Sequence, residues 1–153
     1  MNKCLIAYFT HSGNTEAAAK MIQEHTGGTL FQVSPETPYP REYQACVDTA
    51  KKELKEDARP AILGEVADMD SYDTIYIAYP NWWGTIPMAL FTFLEAYDFA
   101  DKKIMPLCTH EGSGMGRSEG DIKKLCPKAC VGKGLAVRGS QVKESQAAIV
   151  RWV

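Results

Sequence analysis

Three short segments, residues 4–9, 74–79 and 103–108, are apolar almost without interruption. A strand with one face in water alternates apolar and polar residues, so a segment that does not alternate is covered on both faces. Strands of that kind belong to parallel sheets with helices packed above and below. Residues 29–33 read as a further strand, and residues 131–137 as a weaker one that Gly132 and Gly134 interrupt.

The intervening stretches have helical periodicity. Residues 14–25 carry Ala18, Met21 and Ile22 on one face, and residues 43–54 place Tyr43, Val47, Ala50 and Leu54 at spacings of four, three and four. A third helix is predicted with Thr85 as its cap and Pro87 in its first turn, ahead of apolar Met88 to Leu94. Ser118-Glu119-Gly120-Asp121 offers a cap-like Ser-x-x-Asp before Ile122 and Leu125, with Pro127 stopping the turn. Residues 141–152 read as a closing helix. Five strands alternating with five helices imply right-handed βαβ units in an α/β fold. The expectation is one domain over residues 1–153: a doubly wound, five-stranded parallel sheet in the order 2-1-3-4-5, with helices on both faces.

At 153 residues such a domain holds together on packing alone. Lys and Arg number 17 against 19 Asp and Glu, a net charge of −2, so no overall basic surplus points to nucleic acid as a partner. The apolar run at residues 4–9 is too short for a leader, and no stretch approaches the roughly 20 apolar residues of a membrane span. Five cysteines, an odd number, in a chain that does not need them for folding suggest a reducing cytoplasm.

Ligands of doubly wound sheets bind beyond the carboxyl ends of the strands, where the strand order reverses. Three loops are predicted to meet there. The first, Thr10-His11-Ser12-Gly13-Asn14-Thr15, sets three hydroxyls, an amide and a glycine beside the free N–H groups of a helix start. That composition suits a phosphate, and without a Gly-x-x-x-x-Gly-Lys it favours a monophosphate ester over a triphosphate with magnesium; the alternative is a Ser/Asn-rich helix cap. The second, Pro80-Asn81-Trp82-Trp83-Gly84, offers indole faces to a planar ring, with at least one indole expected to face the core. The third, Thr109-His110-Glu111-Gly112-Ser113-Gly114, can present backbone N–H groups to a polar ligand edge. His110 and Glu111 are candidates for moving protons there, with a solvent-facing pair as the alternative.

Other chemistries fit less well. Cys108 and Arg117 stand too far apart for an anion-cradling cysteine loop, and the first strand carries no acidic pair for magnesium. His11, Cys108 and His110 are not at metal-ligand spacing, and Cys126-x-x-x-Cys130 lacks further ligands for zinc, so no metal is expected. His25 reads as a partner for the dipole of a helix C-terminus.

Taken in order, Tyr8-Phe9-Thr10-His11-Ser12-Gly13-Asn14-Thr15, Ser71-Tyr72-Asp73-Thr74-Ile75, Tyr79-Pro80-Asn81-Trp82-Trp83-Gly84-Thr85-Ile86-Pro87 and Cys108-Thr109-His110-Glu111-Gly112-Ser113-Gly114 resemble the flavodoxin family through nearly the whole chain. The resemblance is to its short bacterial members. It implies FMN, with Thr10, Ser12, Gly13, Asn14 and Thr15 at its phosphate, His11 among the cofactor-binding residues, Pro80 to Gly84 flanking the isoalloxazine, and Thr109 to Gly114 on the pyrimidine edge. It also implies a redox protein carrying electrons between partners. The near-neutral charge departs from the strongly acidic carriers of the family and keeps open an FMN-dependent NAD(P)H:quinone-type oxidoreductase. In that reading NAD(P)H and a small acceptor replace the redox partner protein, and His110, Glu111 and Tyr39 line the acceptor pocket. A third reading is a binding or regulatory module without redox turnover.

Overall fold

The computed structural model describes residues 3–153; Met1 and Asn2, which precede the apolar run considered above as a leader, lie outside them. In chain order the elements are β1 (Cys4–Tyr8), α1 (Asn14–Thr26), β2 (Thr29–Gln32), α2 (Tyr43–Lys55), β3 (Thr74–Pro80), α3 (Met88–Glu95), β4 (Lys103–His110), α4 (Ser118–Leu125), β5 (Cys130–Val131), β6 (Leu135–Arg138) and α5 (Gln146–Trp152). Every strand pairing is parallel, and the sheet runs β2-β1-β3-β4-β5, the order predicted.

Central β1, β3 and β4 are buried along nearly their whole length, as unalternating apolar segments require. Two cores result. One lies beneath α3 and α4 and gathers Phe9, Ile77, Leu90, Phe93 and Ile122; the other, beneath α1 and α5, gathers Ile6, Ile22, Leu107 and Ile149. No helix among the described residues is long and apolar enough to cross a membrane.

Four local expectations need correction. The weak fifth strand is two strands, β5 and β6, each paired with β4. Gly132 N–H still bonds the Ile104 carbonyl at 2.8 Å, but the next glycine turns out of the ladder, its N–H diverted to the Glu119 carboxylate at 2.8 Å. The closing helix covers only residues 146–152, because residues 139–145 form a 3₁₀ segment kinked at Gln141 and tied through Ser140 to Glu111. Thr85 does not cap α3. It is buried, exchanges backbone hydrogen bonds with Trp82 and donates its hydroxyl to Asp121, so α3 begins after Pro87.

Ser118 likewise lies inside the first turn of α4 and not at its cap. Its buried hydroxyl accepts from the Tyr79 phenol at 2.8 Å and donates to the Met115 carbonyl at 2.6 Å. A phenol buried in the core needs such a partner, and that need overrides the capping pattern.

Candidate functional site

The carboxyl ends of β1, β3 and β4 bring the three loops together. At the first, Gly13 adopts φ 99°, a left-handed conformation that favours glycine, and its N–H bonds Thr10 Oγ1 at 3.1 Å. No side chain caps α1, so the N–H groups of its first turn open toward the same edge. Thr15 is buried in that turn and shares a 2.8 Å hydrogen bond with the Thr109 hydroxyl, which fixes the helix start against the tip of β4.

Asn81 holds the second loop to the third. Its N–H bonds the Thr109 carbonyl at 2.9 Å, its Nδ2 donates to the Gly114 carbonyl at 2.8 Å, and its Oδ1 accepts from Gly84 N–H at 2.9 Å. Arg117 N–H bonds the Gly84 carbonyl at 2.7 Å. Gly116 passes so close to Gly84 that any side chain would collide with that carbonyl.

The adjacent tryptophans diverge. Trp82 is half-buried and edge-on to Tyr39 at 4.8 Å, Phe9 at 5.0 Å and His11 at 5.9 Å between ring centres. Trp83, with φ 56°, is 44% exposed; its Nε1 donates to the Val47 carbonyl at 3.1 Å, and the Lys51 ammonium lies 5.3 Å from its ring centre. One indole thus anchors the loop and the other stands at the cleft mouth, secured to α2.

In the third loop, His110 Nδ1 accepts from Gly112 N–H at 2.8 Å, which leaves Nε2 of the neutral ring as a donor. Glu111 accepts from Ser140 N–H at 2.6 Å and from Ser140 Oγ at 3.0 Å. Both of its oxygens are therefore engaged in fastening the loop. Cys108 is buried, and burial pushes its thiol up to about 12, the opposite of an activated nucleophile.

These parts enclose a cleft of about 540 Å³, within the usual range for small-molecule and cofactor sites. His11, Ser12, Asn14, Thr15, Pro80, Asn81, Trp82, Trp83, Thr109, His110, Glu111 and Ser113 line it. Thr10, Gly13, Gly84, Gly112 and Gly114 lie outside that lining. Tyr39 also lies outside it, behind Trp82, where it donates to Glu53 across a second cavity of about 250 Å³. Burial raises both groups above their ordinary values, although the phenol's hydrogen bond partly offsets this for Glu53. Among the described residues no cluster of three or more His, Cys, Asp or Glu is placed to hold a metal.

One wall was not anticipated. Tyr43, Cys46, Val47 and Ala50 of α2 face the cleft, joined by Gly139. Tyr43 and Val47 were expected on the helix's packing stripe, yet the buried residues of α2 are Cys46 and Ala50, and Tyr43 is 79% exposed.

Comparison with known proteins gives a consistent picture. A family model described as flavodoxin matches residues 3–153. A candidate flavoprotein from Bacteroides uniformis ATCC 8492 is 30% identical, with a TM-score of 0.87 and coverage of 99% of this chain and 97% of the other. Another, from Bacteroides eggerthii DSM 20697, is 27% identical with a TM-score of 0.79, covering 97% and 98%. A flavoprotein from Lactobacillus acidophilus NCFM, in complex with FMN, shares the fold at 23% identity with a TM-score of 0.76, covering 94% and 98%. No curated protein matches the sequence.

Proposed function

Since the chain belongs to the flavodoxin family, we propose that it binds FMN in this cleft and carries electrons between redox partners. The observation that carries this reading is the uncapped start of α1, which opens onto a cleft bordered by two indoles. The donor set fits the cofactor. First-turn N–H groups with the Ser12 and Thr15 hydroxyls suit a phosphate monoester, and Thr10 holds the loop in shape through Gly13. The FMN in the Lactobacillus structure supports the same assignment.

Each part of the chain has a task in that reading. Trp82, braced by Phe9 and Tyr39, gives the ring a fixed aromatic neighbour, and Trp83 shields it at the mouth. Asn81 keeps the loops over β3 and β4 in register, so the third loop meets the ring's polar edge with preset geometry. His110 Nε2–H is available as a hydrogen-bond donor to that edge. Bound FMN supplies the one- and two-electron chemistry. Five free thiols support a reducing compartment, the cytoplasm.

A second reading, an FMN-dependent NAD(P)H oxidoreductase, is favoured by the wall of Tyr43 and Val47 facing Trp83, which gives a small acceptor an apolar surface beside the ring. Purified protein mixed with FMN and freed of excess is expected to keep a perturbed flavin absorption spectrum. A colourless protein overturns the assignment. Anaerobic NAD(P)H then divides the readings, because rapid direct bleaching supports the oxidoreductase, whereas reduction only through a partner reductase supports the carrier.

A further inference from the structure

The net charge of −2 conceals a separation. Residues 1–99 hold seven Lys and Arg against fourteen Asp and Glu, whereas residues 100–153 hold ten against five. That last third builds one end of the sheet, β4 with the short strands β5 and β6, with α4 on one face and α5 on the other. Of its ten cations Lys102 is buried on the Tyr72 carbonyl and the other nine are exposed. Among the described residues only one of those nine, Arg117, has an ion pair, with Asp121 at 3.4 Å. Three of the five carboxylates are engaged internally, Glu111 by Ser140, Glu119 by Gly134 and Asp121 by Thr85.

This positive end reaches the cleft. Arg138 ends β6 opposite His110 and precedes Gly139, which lines the cleft. Its guanidinium lies beside Gly112, and that of Arg117 lies beside Gly84. Two exposed arginines therefore flank the third loop, with the positive edge of the sheet extending behind them. We propose that the redox partner is a protein that docks through an acidic surface over this loop, with Arg117 and Arg138 as its local contacts. The proposal rests on the FMN reading. Separated charge of this kind orients an encounter even when net charge is small, and it acts within a screening length of about 8–10 Å.

The test uses dithionite-reduced holoprotein under anaerobic conditions. Ferricyanide, a trianion, reports the field: two ions oxidise one reduced flavin to FMN, each taking one electron, and the protons of the reduced ring pass to solvent. Tris(phenanthroline)cobalt(III), a trication, is the control oxidant. Ferricyanide oxidation is expected to slow as salt rises and to slow about tenfold in Arg138→Glu at low ionic strength. Lys20→Glu, an equal charge change on the exposed face of α1, is expected to leave it within about twofold, and the cobalt complex should not share the Arg138 effect. A ferricyanide rate that ignores salt, or equal slowing by both substitutions, overturns the proposal while leaving FMN binding intact. Protein that binds no FMN overturns the reading beneath it. A readout without flavin comes from titrating polyglutamate into nitrogen-15-labelled protein, with amide shifts expected at residues 112–117 and 136–143. Shifts centred on α2, or tighter binding of polyuridylate than of polyglutamate, also overturn it.

Discussion

Helices α1 and α2 are each thirteen residues long and both begin beside the cleft, but their first turns are finished in opposite ways. In α2 the Glu42 carboxylate accepts from Gln44 N–H at 3.0 Å and Ala45 N–H at 2.6 Å, so the helix carries its own anion. In α1 the capping position is Gly13, which has no side chain, and the Thr10 hydroxyl engages only the N–H of Gly13 itself. The positive end of a helix amounts to about half an elementary charge. One start neutralises it from within, and the other turns it toward the cleft. Capping chemistry, and not helix length or position alone, separates the helix start proposed for the phosphate from the wall beside it.

Giving α1 a carboxylate of its own should break the contrast with the largest effect. Ser12→Asp is expected to weaken FMN binding at least about a hundredfold, or about 2.7 kcal/mol, through like-charge repulsion. The melting temperature should hold or rise, because an acidic residue at a helix start stabilises by about 0.3–1 kcal/mol. Fluorescence titration and a thermal melt measure the two, and an unchanged affinity would remove α1 from the site. The reciprocal change, Glu42→Ala, should cost about 1 kcal/mol in urea unfolding and leave FMN affinity within about threefold. If affinity falls in step with stability, the two helix starts are not independent.

The smallest effect concerns the far end of α2, where Glu53 meets Tyr39. Burial raises the folded-state value of Glu53 above that of the unfolded chain, so the folded protein holds this proton more tightly. Its contribution to stability is full below the ordinary carboxylate value near about 4.3 and is lost as pH rises through the raised value. Melting temperatures measured across that range should slope downward for the native chain and flatten in Glu53→Gln. Equal slopes would assign the effect to other groups.

The sheet could be read from the sequence because strands covered on both faces leave a continuous apolar trace, as in β1, β3 and β4. The three loops could be placed for a related reason: the strand order fixes which loops meet at the carboxyl edge, and two adjacent indoles are costly to expose at a strand tip. The α2 wall was not legible. Tyr43 and Val47 fit an amphipathic stripe, and a stripe facing a cleft has the same period as one facing a core. Thr85 and Ser118 misled for another reason, since each matches a capping pattern while its hydroxyl serves a partner distant in sequence, Asp121 and Tyr79 respectively.

The broken fifth strand has a consequence for self-association. A long, flat edge offers its unpaired N–H and C=O groups as a template on which another chain can add. Here that edge is cut into ladders of two and four residues, with exposed Lys133 in the gap and its carbonyl already bonded to Trp152 Nε1 at 2.9 Å. At the opposite edge β2 has only four residues. Neither border gives an incoming strand a run long enough to register against, so the sheet is guarded against growing into a fibril from either side.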